Sequence, residues 1–132
     1  MPRGRLPDEI TFLEVCPEAC LEAFRTVHVP ALDAPTLVES FRSNQARGKA
    51  PRLDEIQHPT LHWAISCWTD PAKNRALARM YPSHGSYIAR LVLTFGHGFS
   101  YMDPSQDTDP DHRRVVGDPL QFVAATVEIF SV

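Results

Sequence analysis

The chain has 132 residues, of which 43% are hydrophobic and 22% charged, with a formal net charge of -3. This is one domain's worth of protein with enough apolar content for a core, which excludes a disordered chain. The mild acidity disfavours a generally basic nucleic-acid binder, and no apolar run reaches the roughly 20 residues that span a bilayer. Three cysteines and an N-terminus without an apolar stretch predict a cytoplasmic protein with reduced thiols.

The N-terminal part of the chain predicts two strands. Residues 1–9 are polar and contain proline, so we expect a loose lead-in. A β-branched and aromatic run predicts a first strand over Ile10–Val15, and an alternating pattern predicts a second over Ala23–Val29. The segment between them, Pro17–Leu21, is long enough for a single helical turn.

A first helix is predicted after these strands. Asp33 is a suitable N-cap, the apolar residues that follow recur at helical spacing, and Gly48 is a suitable C-terminal stop. Residues Gly48–Pro59 contain two prolines and charges of alternating sign, which predicts a polar loop.

The middle of the chain predicts a strand, a helix and a strand. The strands are His62–Trp68 and Tyr87–Phe95, and we expect them to be neighbours. The helix over Asp70–Met80 has an Asp-Pro start, because proline is tolerated in the first helical turn. Four apolar residues at helical spacing predict its buried face: Ala72, Ala76, Leu77 and Met80.

The C-terminal part predicts short strands around an acidic loop. A short strand is expected at Phe99–Met102, followed by the loop Asp103–His112, and alternation predicts a final strand over Phe122–Phe130. With about two helices and a mainly antiparallel sheet, the predicted fold is a small α+β domain that spans residues 1–132.

Sequence motifs for several enzyme classes are absent, namely the phosphate loop, GxGxxG, HExxH, CxxC and GxSxG. Cys16 and Cys20 lie four apart, which does not match a zinc-finger pair. Residues 107–111 resemble the start of a calcium loop, but His112 stands where that loop needs glycine. We therefore expect no bound metal. The basic residues between Arg42 and Arg52 have acidic neighbours and no interleaved aromatics, which favours a solvated surface over a phosphate site.

One arginine on a strand is the strongest candidate for a binding residue. Arg25 lies in an otherwise apolar strand, and a guanidinium there must pair with a carboxylate or meet an anion. Its structural partner would be Glu22 or Glu128, and its functional partner would be a phosphate, which the planar guanidinium binds with two hydrogen bonds.

Further polar residues accompany Arg25. Ser66 lies inside the third predicted strand, and His112 and Asp118 flank the turn before the last strand. The order of these residues and elements resembles small ADP-ribosyltransferase-like domains over about residues 23–130. The matching segments are Phe24-Arg25-Thr26, Ala64-Ile65-Ser66-Cys67-Trp68, the Asp70-Pro71 helix start, Gly85-Ser86-Tyr87-Ile88-Ala89 and Gly117-Asp118-Pro119.

This resemblance implies NAD as the substrate. A first-strand arginine or histidine holds NAD in that superfamily, a role that falls to Arg25, with His28 as the alternative. A second-strand serine or aromatic lies beside the nicotinamide, a role that falls to Ser66. Trp68 and Tyr87 are further candidate contacts to the ligand.

The third catalytic position of the superfamily is a glutamate or other polar residue near a late strand. The chain has no glutamate pair before its last strand, so Asp118, Gln121 and Glu128 are the candidates. His112 is expected to contact the substrate from the loop. Without the glutamate pair, efficient transfer to arginine is disfavoured. NAD cleavage, transfer to another acceptor and an inactive site stay open.

Two other functions remain possible from the residues. A non-catalytic module could bind a protein partner or a second copy of itself through the edge of the last strand, where Phe122 and Phe130 would face outward. A metal-dependent enzyme would use His28, His112 and the acidic loop. Convergence of Arg25, Ser66 and His112 in one concave site would favour the NAD hypothesis, and dispersal over the surface would favour the module.

Overall fold

The computed structural model describes residues 6–18 and 20–132. Over these residues the chain forms a seven-stranded antiparallel sheet and three α-helices, which confirms the α+β class. Residues 1–5 and Ala19 lie outside the description, so the expected lead-in over 1–9 and the turn over Pro17–Leu21 are covered only in part. The end of the lead-in is not loose, because Leu6 is buried against Leu61 and Met102.

The second strand lies inside the sheet, next to its central strand. The strands are β1 (Phe12–Glu14), β2 (Leu21–Val27), β3 (Ile65–Trp68), β4 (Tyr87–Leu93), β5 (Ser100–Met102), β6 (His112–Val116) and β7 (Thr126–Ser131). Their order in the sheet is β1-β5-β6-β3-β2-β4-β7. The expectation that β3 and β4 are neighbours is therefore wrong, because β2 lies between them and pairs with both.

The helices are α1 (Leu53–Gln57), α2 (Pro71–Met80) and α3 (Pro119–Ala125). In the described ranges, no helix is both long and apolar enough to cross a membrane. The α2 helix begins where the Asp-Pro signal predicts, with Oδ1 of Asp70 accepting a hydrogen bond from the amide of Ala72 at 3.0 Å. An N-cap contact of this kind stabilises a helix by about 1 kcal/mol.

The predicted buried face of α2 is wrong. The helix buries Asn74 and Ala78, whereas Met80 is 66% exposed. The physical reason is a polar contact that hydropathy cannot detect. Nδ2 of Asn74 donates a hydrogen bond to Oγ1 of Thr26 on β2 at 3.1 Å, which turns this side of the helix toward the sheet.

The helix predicted from Ala34 to Gly48 forms only as a short 3-10 helix over Leu37–Phe41. Its apolar residues Leu37 and Phe41 are buried as expected. Beyond Phe41 the chain turns, because Oγ of Ser43 accepts the amide hydrogen of Ala46 at 3.2 Å and competes with helix continuation. The first α-helix instead lies within the predicted polar loop over Gly48–Pro59.

The predicted last strand over Phe122–Phe130 is half helix. Asp118 caps α3 by accepting the amide hydrogen of Leu120 at 2.8 Å, and β7 begins only after this helix. The expectation that Phe122 faces outward is wrong. Phe122 is 1% exposed and its ring lies 5.7 Å from the ring of Phe41.

Both faces of the sheet are covered around β2. On one face, Ala23 and Val27 contribute to the main core together with Leu37, Phe41 and Phe122. On the other face, α2 contacts the sheet through the hydrogen bond to Thr26 and through Arg75, whose guanidinium lies 5.5 Å from the ring of Phe130. Phe130 is therefore half-buried by its own chain.

Candidate functional site

The sheet splits between β2 and β3. These two strands share a single register pair, Phe24 with Trp68, whereas β2 and β4 pair over seven residues. Arg25 follows directly after the shared pair and bridges the split. Its Nη1 donates a hydrogen bond to the carbonyl of Ser66 at 2.7 Å, and its Nε donates to the carbonyl of Ser40 at 2.9 Å.

The carboxylate partners expected for Arg25 are bound elsewhere. Glu22 and Glu128 both contact Arg90, at 3.2 and 3.3 Å. Burial lowers the pKa of Arg25, and the nearby charge of Arg47 lowers it further. The guanidinium thus meets two carbonyl oxygens and a like charge, and no carboxylate among the described residues lies within ion-pair distance of it.

A groove of about 700 Å³ lies at the split. We call it the basic groove. It is lined by five of the residues that the sequence singled out: Arg25, His28, Ser66, Trp68 and His112. The convergence that favours the NAD hypothesis over a dispersed arrangement is therefore present. Ser66 is exposed toward solvent, whereas His112 is buried.

The remaining predicted site residues lie outside the basic groove. Asp118 is the N-cap of α3, and Gln121 is exposed on that helix. Glu128 lies on the edge strand β7 and pairs with Arg90. Tyr87 is half-buried against the main core. None of the three candidates for the third catalytic position reaches the groove, because the segment that carries them folds as a helix followed by an edge strand.

His112 is held by a buried carboxylate. Nδ1 of His112 donates to Oδ2 of Asp107 at 3.1 Å, and the ring lies 4.7 Å from that of Trp68. Burial acts to raise the pKa of Asp107, but the hydrogen bond from His112 and the charges of His112 and Arg114 outweigh it, so this pKa lies below its ordinary value. The acidic loop thus positions a groove residue rather than being merely solvated.

Four cations from a single segment also line the groove: Arg42, Arg47, Lys49 and Arg52. The sequence had favoured a solvated surface for this segment. Its turns, which end in Gly48 with φ of +70°, carry the cations along the groove instead of around a helix. The one sequence signal for this position is the apolar pair Leu37 and Phe41 just before the segment, because both residues pack into the core beside β2.

The groove concentrates positive charge on an acidic protein. Among the described residues, its lining holds six cations and two carboxylates. The described residues outside the lining hold five cations and fourteen acids. A cleft with a sign opposite to that of its surroundings attracts ligands of the complementary charge. The complementary ligand here is an anion.

Both groove carboxylates already have protein partners. Oδ2 of Asp54 binds Nη1 of Arg114 at 2.6 Å. The oxygens of Glu55 accept hydrogen bonds from the amide of Arg52 at 3.0 Å and from Nδ2 of Asn44 at 3.5 Å. No local pattern marks Asp54, Glu55 or Arg114 as site residues, because each lies in an element whose position only the tertiary structure defines.

Two buried polar atoms that lack partners belong to groove residues. Oδ1 of Asn74 and Nε of Arg114 make no hydrogen bond, and Asn74 is only 3% exposed. A buried polar group without a partner costs about 1–3 kcal/mol. A ligand with donors and acceptors could satisfy both atoms.

Metal-binding groups are not brought together. Within residues 6–18 and 20–132, no three His, Cys, Asp or Glu side chains form a cluster suited to a metal ion. In the acidic loop, Nζ of Lys73 contacts Asp109 at 2.6 Å and Asp111 at 3.4 Å, so a lysine occupies the place that the calcium comparison suggested for a cation. Cys16 and Cys20 are exposed free thiols, and Cys67 is buried.

Comparison of the chain with models of protein families, with curated proteins and with solved structures gives no match.

Proposed function

We propose that the basic groove binds NAD, or a ligand resembling ADP-ribose, and that the protein cleaves the nicotinamide–ribose bond or transfers ADP-ribose. The observation that carries this proposal is the convergence of Arg25, Ser66 and His112 in one cationic groove. The resemblance to ADP-ribosyltransferase-like domains rests on the same first- and second-strand residues, which here lie on either side of the split.

The pyrophosphate is bound by Arg25 and Arg47. An arginine carries five N–H donors, and Arg25 directs two of them to protein carbonyls. The other three remain for phosphate oxygens. Arg47 is held close by, with its Nη2 donating to the carbonyl of Glu39 at 3.0 Å. Both arginines lack a carboxylate partner within the described part of the chain, so an anionic ligand relieves their mutual repulsion.

The carboxylate for the reaction is Asp54 rather than Asp118 or Glu128. Loss of nicotinamide leaves positive charge on the ribose, and a carboxylate nearby stabilises that transition state. Glu55 uses both oxygens in protein contacts, whereas Oδ1 of Asp54 has no hydrogen-bond partner among the described residues. In hydrolysis, water bonds to the ribose carbon, the carbon–nitrogen bond breaks with its electron pair on nicotinamide, and one proton is released.

Isothermal titration with NAD and with ADP-ribose tests binding. Arg47→Ala removes charge-assisted hydrogen bonds worth about 1.5–3 kcal/mol, so we expect affinity to fall roughly tenfold or more. Arg79→Ala is the matched control, because Arg79 is exposed and does not line the groove. Its affinity should equal that of the wild type. Absence of binding heat in the wild type at millimolar ligand would overturn the proposal.

Nicotinamide release, followed by chromatography, tests the reaction. Asp54→Asn keeps an oxygen for Arg114 but loses the charge, so we expect turnover to fall on the order of 100-fold while NAD affinity changes little. Asp118→Asn and Glu128→Gln should retain wild-type turnover. Full activity of Asp54→Asn would refute its role, and a wild-type protein that binds NAD without releasing nicotinamide would restrict the function to binding.

The alternative function is a protein-binding or homodimerising module, and the edge position of β7 favours it. The edge exposes less apolar surface than the sequence predicts, because Phe122 is buried and Phe130 is partly covered. A cytoplasmic location is part of the proposal for the enzyme and is supported by the three free cysteines.

A further inference from the structure

The basic groove holds more unmatched positive charge than the pyrophosphate of NAD requires. Two of its six cations have carboxylate partners, since Arg42 pairs with Glu39 at 3.2 Å and Arg114 pairs with Asp54 at 2.6 Å. The other four have no ion pair with any described residue: Arg25, Arg47, Lys49 and Arg52. A dinucleotide pyrophosphate carries two negative charges, which leaves two of these cations unmatched.

Glu55 does not supply the negative charge that these two cations lack. Although it lines the groove near Arg52, one of its oxygens accepts the amide hydrogen of Arg52 and thereby caps the first turn of α1. The other faces the side-chain amide of Asn44. The carboxylate is 8% exposed, so it is directed into the protein and not toward the open groove.

The segment that presents the excess charge is fixed by the backbone. The amide of Lys49 donates to the carbonyl of Asn44 at 2.9 Å, and the carbonyl of Lys49 accepts a hydrogen bond from Nε2 of His62 at 2.9 Å. Arg52 follows three residues later and caps α1. Two cations whose backbones are anchored lose less entropy on binding a ligand than cations on a flexible loop.

We infer that the preferred ligand of the groove is a dinucleotide that carries a phosphomonoester in addition to its pyrophosphate, and that Lys49 and Arg52 bind this extra phosphate. The inference rests on the proposed function. A phosphomonoester carries about -1.5 to -2 charges near pH 7. Together with the pyrophosphate it matches the four cations, with Arg25 and Arg47 on the pyrophosphate and the other two on the monoester.

The test compares NADP, which has a 2′-phosphate, with NAD by isothermal titration at low and at moderate salt. We expect NADP to bind about tenfold or more tightly than NAD at low salt, because each tenfold corresponds to about 1.4 kcal/mol, within the range of one charge-assisted contact. The ratio should shrink as salt rises. The pair 2′,5′-ADP and 5′-AMP differs only in the 2′-phosphate, carries no nicotinamide and should show the same preference.

The double variant Lys49→Ala/Arg52→Ala should bring the NADP-to-NAD affinity ratio close to one, because NADP should lose more affinity than NAD when the two cations are removed. Arg79→Ala should keep the ratio, and thermal unfolding checks that each variant is folded. Equal affinities of the wild type for NAD and NADP would overturn the inference and leave the proposed function standing. A preference for NADP that survives the double variant would overturn the role of Lys49 and Arg52. Failure of both dinucleotides to bind would instead refute the proposed function itself.

Discussion

Removal of the Asp107 carboxylate should destabilise the protein far more than removal of a surface carboxylate. Its side chain is 1% exposed, accepts the amide hydrogen of Thr108 at 2.7 Å and binds the ring of His112 at 3.1 Å. Arg114 lies 3.8 Å away. Asp107→Ala leaves the ring of His112 buried without its acceptor and removes the carboxylate beside Arg114, so we expect a loss of about 3–5 kcal/mol in the free energy of unfolding. Asp107→Asn retains one acceptor oxygen and should lose about 1.5–3 kcal/mol.

The effect should depend on pH in a defined direction. The pKa of Asp107 in the folded protein lies below its ordinary value, so its ionisation favours the folded state. This contribution is complete above the unfolded-state pKa of about 4 and is lost as the pH falls through the lower folded-state pKa. The stability difference between wild type and Asp107→Asn should therefore be largest near neutral pH and shrink on acidification below about pH 4.

Urea unfolding measures this difference. Tryptophan fluorescence is a suitable probe, because the ring of Trp68 lies 4.7 Å from that of His112. Equal m-values would support a common two-state transition. Asp111→Ala is the matched control from the same loop. Asp111 is 41% exposed and 3.4 Å from Lys73, so its loss should cost under about 1 kcal/mol. If Asp107→Ala costs no more than this control near neutral pH, the reasoning from the buried network is refuted.

Three further changes test the fold. Gly85→Ala should lower the free energy of unfolding by about 2 kcal/mol or more, since Gly85 has φ of +134° and a Cβ there would collide with the carbonyl of Val27. In the control Gly48→Ala the added Cβ meets no atom, so chemical unfolding should show a loss of about 1 kcal/mol. Burial raises the pKa of Cys67 to about 11. At pH 8 a thiol reagent should therefore modify the exposed Cys16 and Cys20 rapidly and Cys67 only after denaturation. Rapid reaction of all three thiols would contradict the burial of Cys67. Asp118→Ala should lower stability by about 1 kcal/mol through loss of the α3 cap, without an effect on NAD turnover in the nicotinamide-release assay.

Local signals predicted the start of α2 but not its orientation. The Asp70-Pro71 pair acts within one helical turn, so it could be recognised without tertiary information. The buried face depends on where Asn74 meets Thr26, which are far apart in the sequence. Hydropathy assigns a polar side chain to solvent, and a buried amide with a specific partner reverses that assignment.

The same Asp-Pro signal stands at the start of the C-terminal helix, where the alternation of the residues that follow predicts a strand instead. Asp118-Pro119 starts α3 just as Asp70-Pro71 starts α2. Alternation over Phe122–Phe130 favoured a strand, although a short apolar run fits a buried helix equally well. This error placed Asp118 and Glu128 in the candidate site, because a continuous strand would have kept both near the loop that carries His112.

The structure brings together the predicted residues on β2 and β3 and places the predicted residues from the C-terminal segment outside the basic groove. Arg25 and Ser66 are separated by 41 positions, yet strands of an antiparallel sheet carried them together. The sequence could not assign the cations to the groove, because the local pattern around a charged residue does not distinguish a position facing bulk solvent from one facing a cleft. Asp54 is likewise hidden in the sequence, since the prolines and alternating charges of Gly48–Pro59 predict a loop where α1 forms.

The split in the sheet has a mechanical consequence. Four strands lie on one side of it and three on the other. In the described part of the sheet, the backbone pair Phe24–Trp68 and the side chain of Arg25 bridge the two strands at that seam, and the main core packs across it. A rotation about this seam breaks few hydrogen bonds, whereas bending within either part breaks a full ladder. The backbone pairing of the sheet therefore constrains the basic groove least at this seam, where Arg25 adds a side-chain hydrogen bond to the carbonyl of Ser66.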